Sequence, residues 1–395
     1  MIVLTGLQGD NFIIAMINNR RDFLKYTLLT LGGAAVLPAR ALAQADHPGP
    51  AERAAMRQTA EAVMKTHSIP GLSMAVAQHG KLVYQEALGF ADRDRKEKLL
   101  PSHLFRIASV SKPITSATIF SLIEQGRLKL DDLVFGTGGI LTGDFGAPPF
   151  KRWVGNIRIR HLLTHTAGGW TNDGDDPMFK NPKMNHKELI TWTLKNQPLL
   201  NEPGTKYAYS NFGYCILGRV IEKLTRQAYP EFVRSAILSK CGISGMSIGG
   251  NTLAERADRE VVYYPQDNAG NAYSMNVRRM DSHGGWIATP ADLVRFAVHV
   301  DGQSTERDIL RQNTIKEMTT PTTAGPDYAK GWAVNKYGNW WHNGSLPGTS
   351  TIMVRTSSDF CWAALTNTSE SKGDTGGAID TMMWNVVKNV KSWRA

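Results

Sequence analysis

Cysteine is scarce in this chain: Cys215, Cys241 and Cys361 are the only three among 395 residues. None sits in a ligand-spaced pair, which excludes a cysteine-built metal centre, and at least one stays unpaired within a monomer. Cys215 and Cys361 fall in apolar runs and read as buried thiols. Long hydrophobic runs are missing too. The longest leader-like stretch, 26–37, falls short of the about 20 apolar residues that a membrane span needs, so no stable membrane anchor is expected. A net charge of +10 is not gathered into a basic block. The densest cluster, 93–98, contains Asp94 and Glu97, which argues against a nucleic-acid partner. There is no internal repeat, and no linker-like segment beyond 44–50.

Cofactor signatures are equally thin. His161 and His165 have an i, i+4 spacing, but Leu162 stands where a zinc protease carries glutamate. The stretch Asp173-Gly174-Asp175-Asp176 lacks the alternating ligands and closing glutamate of a calcium loop and reads as solvated. Neither a metal nor an organic cofactor is implied. Gly245-Met246-Ser247-Ile248-Gly249 matches the G-x-S-x-G elbow. It follows a helix-like segment and precedes a polar one, where an elbow joins a buried strand to a helix, so a surface loop is expected.

What is present is a serine three residues before a lysine. Ser109-Val110-Ser111-Lys112 opens an apolar run that Pro113 marks as a helix start and Gly126 closes. Residues i and i+3 of a helix share a face, so the Ser109 hydroxyl and the Lys112 amine come within hydrogen-bond reach, pairing a nucleophile with a base. The helix N-terminus beside them favours developing negative charge. Further on, Tyr209-Ser210-Asn211 presents a phenol and an amide on a turn before a helix-like run. His342-Asn343-Gly344-Ser345 follows the strand-like Asn339-Trp340-Trp341.

Taken in this order, Ser-x-x-Lys, Tyr-x-Asn and His-x-Gly resemble the three motifs of the penicillin-recognising serine hydrolases, the group of class C β-lactamases, D-alanyl-D-alanine carboxypeptidases and β-lactamase-like esterases. Linking blocks around 159–169, 284–293 and 328–332 resemble that family as well, and the likeness spans about 55–390. It implies Ser109 as nucleophile, with Lys112 or Tyr209 as proton acceptor. The N–H groups of Ser109 and Ser345 would hold the oxyanion, each worth ~3 kcal/mol in the transition state. Gly344 would let substrate approach the strand. Asn211 would bind the acyl amide or orient Lys112, and His342 would line the place where the family often sets a cation. Class C β-lactamases usually carry lysine there. A histidine, with a reference pKa of about 6.5, is a weaker carboxylate anchor. The expectation is a serine acyl-hydrolase for small esters or D-alanyl-D-alanine-type peptides. The alternatives are a β-lactamase, or a penicillin-binding sensor with little turnover. The partner is a small ester, amide or peptide.

The fold class expected is α+β. A helix near 51–67 precedes strands 72–78 and 81–88, joined across His79-Gly80. Further strands are expected at 331–337, 339–342, 349–355 and 361–366, and a last helix carries Ile379, Met382, Met383, Val386 and Val387 in helical period. An antiparallel sheet flanked by terminal helices (about 51–110 and 298–395) with a mainly helical inserted lobe (about 111–297) accounts for these patterns and is the fold the family implies. Residues 1–43 read as a twin-arginine export signal. Arg20-Arg21-Asp22-Phe23-Leu24-Lys25 leads the apolar run, Ala41-Leu42-Ala43 offers a cleavage site, and Met16 is an alternative start. The expected location is the periplasm, for a mature hydrolase domain of 44–395.

Overall fold

Gly71–Gln78 (β1) and Lys81–Asp92 (β2) form an antiparallel hairpin whose corner, His79 and Gly80, has φ of 48° and 75°. Two successive positive φ values give a tight turn that matches the twist of the strands. The computed structural model describes residues 48–172, 176–390 and 393, together with the paired strands Leu7–Gln8 and Asn11–Phe12 of a separate unit, Met1–Ala45. Apart from 7–8 and 11–12, the export signal read over 1–43 lies outside the described residues, as do the loop positions 173–175.

The hairpin joins a seven-stranded antiparallel sheet with Glu97–Lys98 (β3), Ala333–Val334 (β4), Trp340–Leu346 (β5), Thr349–Arg355 (β6) and Phe360–Thr366 (β7), in the order β4-β5-β6-β7-β1-β2-β3. β7 pairs with β1, Trp362 opposite Val76, so the two ends of the domain build one layer. All eight β1 residues are buried because both faces of the sheet are covered. Leu72, Met74 and Val76 meet the terminal helices Pro50–Thr66 (α1) and Thr375–Lys388 (α10), whose Met56, Ala60, Ile379, Met382, Met383 and Val386 fill that side. Ala75 and Ala77 face the other core.

That second face packs against Pro290–Val298 (α8). The inserted lobe read from the sequence as ending at 297 therefore ends before α8, which serves the sheet; its apolar period could not say which layer it covers. The insertion contains Ser111–Glu124 (α2), Ile159–Leu163 (α3), Pro177–Lys180 (α4), His186–Asn196 (α5), Asn211–Thr225 (α6) and Tyr229–Ala236 (α7), while Gln312–Thr319 (α9) lies beyond α8. α2 packs against α6, α7 and α9, and its first twelve residues are buried. Its polar members are satisfied by neighbours: Thr115 donates to Ser282 O (2.6 Å) and Ser116 to Lys330 O (2.5 Å). The strand expected over 331–337 is limited to β4, and that expected over 339–342 extends through Leu346.

Upstream of α2, the short strand Phe105–Arg106 carries a buried ion pair. Arg106 Nε lies 3.7 Å from Glu260 Oε1, and Arg106 also donates to Ala272 O (2.5 Å) and Gly250 O (2.9 Å). Tyr263 donates to Glu260 Oε1 (2.7 Å) and accepts from Arg106 N (2.8 Å). This network ties the 250–272 segment to the strand leading into Ser109. Glu260→Gln leaves the guanidinium buried without its counter-charge and is expected to lower unfolding free energy by about 3–5 kcal/mol, measured by urea denaturation.

Candidate active site

Ser109 sits in a 3-10 turn, Ala108–Val110, immediately ahead of α2. The i, i+3 argument therefore works through a tighter coil than the α-helix expected, and in 3-10 geometry those two positions nearly eclipse. Lys112 Nζ lies 3.0 Å from Ser109 Oγ, 2.8 Å from Asn211 Oδ1 and 2.9 Å from the His283 carbonyl. As the ammonium it donates to all three, and as the free amine it donates to the amide and carbonyl oxygens and can accept from the Ser109 hydroxyl. Lys112 is fully buried, and burial holds its amine well below the ordinary lysine range, partly opposed by the charge of Asp176. Ser109 is half-buried, and Ala108 before it has φ of +48°, a left-handed conformation that alanine adopts only under constraint.

The constraint comes from the sheet. Thr351 Oγ1 on β6 donates to Ile107 O (2.9 Å) and Thr349 Oγ1 to Arg106 O (3.1 Å). Gly344 on β5 faces the same turn: a Cβ there would lie 2.4 Å from Ile107 O and 3.0 Å from Ala108 Cβ. Its missing side chain thus admits the nucleophile's own turn, a packing reason for glycine that the sequence reading, which expects Gly344 to make room for substrate, does not include. Ser345, the other expected oxyanion donor, is exposed next to it. β4 pairs only with Trp340 and Trp341, so among the described residues no strand covers that edge of β5 from His342 to Leu346. The edge instead packs against the Ser109 turn.

Tyr209 and Asn211 flank Ser210, whose hydroxyl caps α6 by accepting from Gly213 N (3.1 Å). The cap starts the helix at Asn211, with Ser210 itself extended and Tyr209 ahead of it outside the helix. The Tyr209 phenol hydrogen-bonds Ser109, and burial pushes its pKa well above the ordinary tyrosine value. Lys112 Nζ lies 4.8 Å from the centre of the same ring. His165, with φ of +58°, grips this segment at two points: its carbonyl accepts from Ala208 N (2.7 Å) and its Nδ1 from Ser210 N (3.1 Å). Its ring centre is 4.2 Å from that of Tyr209. α3 ends before His165, so His161 and His165 share no helix face; His161 Nδ1 accepts from Arg158 N (3.2 Å) at the start of α3.

Asp176 overturns a sequence reading. It is 4 % exposed, and its Oδ2 accepts from Asn211 N (3.2 Å) and Nδ2 (2.9 Å), so it is not part of a solvated stretch. Burial raises its carboxyl to about 6. Composition around it was misleading, because its partner lies 35 residues away in sequence. Ser247 does form a strand, but a two-residue one, Ser247–Ile248, paired with Trp286–Ala288 and followed by a 3-10 turn, which is no strand-to-helix elbow.

His342 is buried. Its Nδ1 donates to Asn343 O (2.6 Å), so its Nε2 accepts from the Tyr328 hydroxyl (3.0 Å). Burial and the Lys112 charge lower its pKa to about 3. The expectation of a partly charged imidazole titrating near 6.5 is therefore replaced by a neutral one. A cavity of about 400 Å³ opens beside it, walled by Tyr207, Tyr209, Tyr328, Trp341 and Pro326. Its lining contains no lysine or arginine, and Asp327 is its one acid. Trp340, the alternate residue, packs against the core beneath Arg355, whose guanidinium carbon is 3.8 Å from the centre of the indole ring.

A serine and a buried lysine at the seam between an antiparallel sheet and a helical insertion are the hallmarks of penicillin-recognising serine hydrolases. Residues 56–381 match the family model described as Beta-lactamase, and the chain belongs to that family. It is 27% identical over 322 residues to penicillin-binding protein 4* of Bacillus subtilis, covering 75% of this chain and 67% of that one. The chain spans about 57–67% of the length of the curated relatives it matches. Its fold resembles D-amino acid amidase from Ochrobactrum anthropi (TM-score 0.71, 22% identity, 87% of this chain and 100% of that one). It also resembles EstCE1, a hydrolase with promiscuous acyltransferase activity (TM-score 0.65, 20% identity, 87% and 100%).

Proposed function

We propose that this protein is a serine acyl-hydrolase that works through a Ser109 acyl-enzyme on small carboxylic esters and amides. The observation that carries the reading is the 3.0 Å contact between Lys112 Nζ and Ser109 Oγ. Burial depresses the lysine and raises the tyrosine, which favours Lys112 as the base and Tyr209 as a proton donor. In acylation the Ser109 Oγ–carbonyl carbon bond forms as the Oγ proton passes to neutral Lys112. The C–O or C–N bond then breaks, and the leaving group takes a proton through Tyr209. Water reverses the sequence and frees the acid. The N–H groups of Ser109 and Ser345 are the proposed oxyanion donors, and His342 a neutral wall.

Substrates without a carboxylate fit the cation-free cavity best. D-Alanyl peptides and penicillins, which carry one, rank behind esters and amides. The test is hydrolysis of a short-chain p-nitrophenyl ester, a D-alanyl-D-alanine peptide and a chromogenic cephalosporin, each beside Ser109→Ala. Turnover of the peptide or cephalosporin above the ester would overturn the ranking, and stable acylation without turnover would favour the sensor reading.

Because His342 remains neutral, the KM ratio of an acidic to a neutral ester should stay flat between about pH 5 and 8. A ratio that rises through about 6.5 would give His342 back its charge. The periplasm is the proposed compartment, resting on the Arg20-Arg21 leader; substitution of both by lysine should retain the enzyme in the cytoplasm, read by fractionation.

A further inference from the structure

Asn211 carries an amide whose two ends are chemically opposite, and its neighbours dictate which end goes where. Asp176 Oδ2 and Asn172 Oδ1, each 2.9 Å from Asn211 Nδ2, lie on one side. Lys112 Nζ lies on the other, 2.8 Å from Oδ1. A carboxylate only accepts hydrogen bonds and an ammonium only donates, so the amide has one satisfactory orientation. Asp176 is itself held by accepting Met178 N on Oδ1 (3.0 Å) at the start of α4. A buried acid, an amide and the amine that contacts Ser109 thus form one hydrogen-bonded line.

We propose that Asp176 is a positioning residue of the hydrolytic site: it locks the Asn211 amide with its oxygen toward Lys112, and its negative charge, acting across that amide, sets the proton affinity of the Lys112 amine. The proposal rests on the reading of Lys112 as base. The titratable and charged groups around the line come from the 209–215 stretch that carries Asn211 and from three other segments. His165, Tyr209, Tyr214, Cys215, His283 and His342 are all driven toward their neutral forms by burial. Arg279 is a cation on this side, donating to the carbonyls of Asn181 (2.5 Å), Met178 (2.5 Å) and Met184. Beyond Cys215 and His283 lies the buried Arg219–Asp281 ion pair (2.6 Å), with His186 on the same carboxylate, whose charges largely offset each other. Asp176 is then the acid that stabilises the ammonium of Lys112 against burial, which by itself favours the free amine. Losing its charge makes Lys112 easier to deprotonate, so the variant and the wild type differ above about pH 6, where Asp176 is ionised, and converge below it.

The test compares kcat/KM against pH for a neutral p-nitrophenyl ester, and the rate of fluorophosphonate labelling, in the wild type, Asp176→Asn and Asp176→Glu. The asparagine variant keeps an acceptor oxygen for Asn211 and discards the charge. Its acid limb is expected to move to lower pH by about one unit, with the rate at the optimum reduced by no more than about tenfold. The glutamate variant keeps the charge and displaces the amide, so its limb stays in place while the rate falls. A packing role alone would change the titratable active-site concentration and leave both limbs alone. An unmoved limb in a folded Asp176→Asn enzyme overturns the proposal. If that variant does not fold, a displaced limb in Asp176→Glu does so. Failure of the underlying reading is a separate result: label that persists in Ser109→Ala.

Discussion

Ser109→Ala is expected to abolish fluorophosphonate and penicillin labelling and to lower ester hydrolysis by at least about 10⁴-fold, because among the described residues Ser109 alone brings a hydroxyl into hydrogen-bond contact with Lys112. The fold should survive. Ser109 is half-buried, and Lys112 retains Asn211 Oδ1 and the His283 carbonyl as acceptors after the hydroxyl is removed. A stability change within about 1 kcal/mol is anticipated. Mass spectrometry of labelled peptides decides the matter. Label found on Ser247, the serine of the G-x-S-x-G segment, would move the nucleophile and end the Ser109 mechanism.

Lys112→Met should be nearly as severe in rate, and it should also cost stability. Methionine approximates the lysine stem in volume, so packing along the buried α2 is largely kept. The lost ammonium strands Asn211 Oδ1 and the His283 carbonyl in the interior, at about 1–3 kcal/mol for each group that finds no substitute donor. Hydrolysis should fall on the order of 10³-fold, since general-base catalysis of this kind is worth about 10² to 10⁴. In the wild type the free amine is the active form, so kcat/KM rises as pH passes the Lys112 pKa, and this acid limb should vanish in the variant. A variant that hydrolyses at the wild-type rate would make Tyr209 the proton acceptor.

The parts of the fold that were legible in the sequence are those governed by local chemistry. The turn residues His79 and Gly80 announced the first hairpin, and the 3.6-residue period of Ile379, Met382, Met383 and Val386 announced the helix that covers the sheet. The strand expected over 331–337 shrinks to β4 because Gly331 has φ of +91° and Tyr328–Lys330 turn back toward α9, Lys330 N donating to Met318 O (3.0 Å). An apolar, aromatic-rich run gives no hint of that contact. The site shows the same division. Ser109 and Lys112 are three residues apart, so chain geometry alone brings them close. His165, in contrast, reads from its spacing and its missing glutamate partner as structural rather than zinc-binding, but its hold on Ala208 and Ser210 has no sequence signal other than the motif in which it lies.

By itself, then, the sequence determined which side chains could act as nucleophile, base, phenol and amide, and the order of elements that carry them, because spacing and turn chemistry are properties of neighbouring residues. Only the tertiary structure decided their charges and their company. His342 is neutral because Tyr328, Asn343 and the surrounding core enclose it, and Gly344 is glycine because another backbone passes within contact distance. Asp176 is part of the site because Asn211 from a distant helix meets it away from water. Proton affinity depends on desolvation and on charges brought in from remote segments, and neither is encoded in spacing.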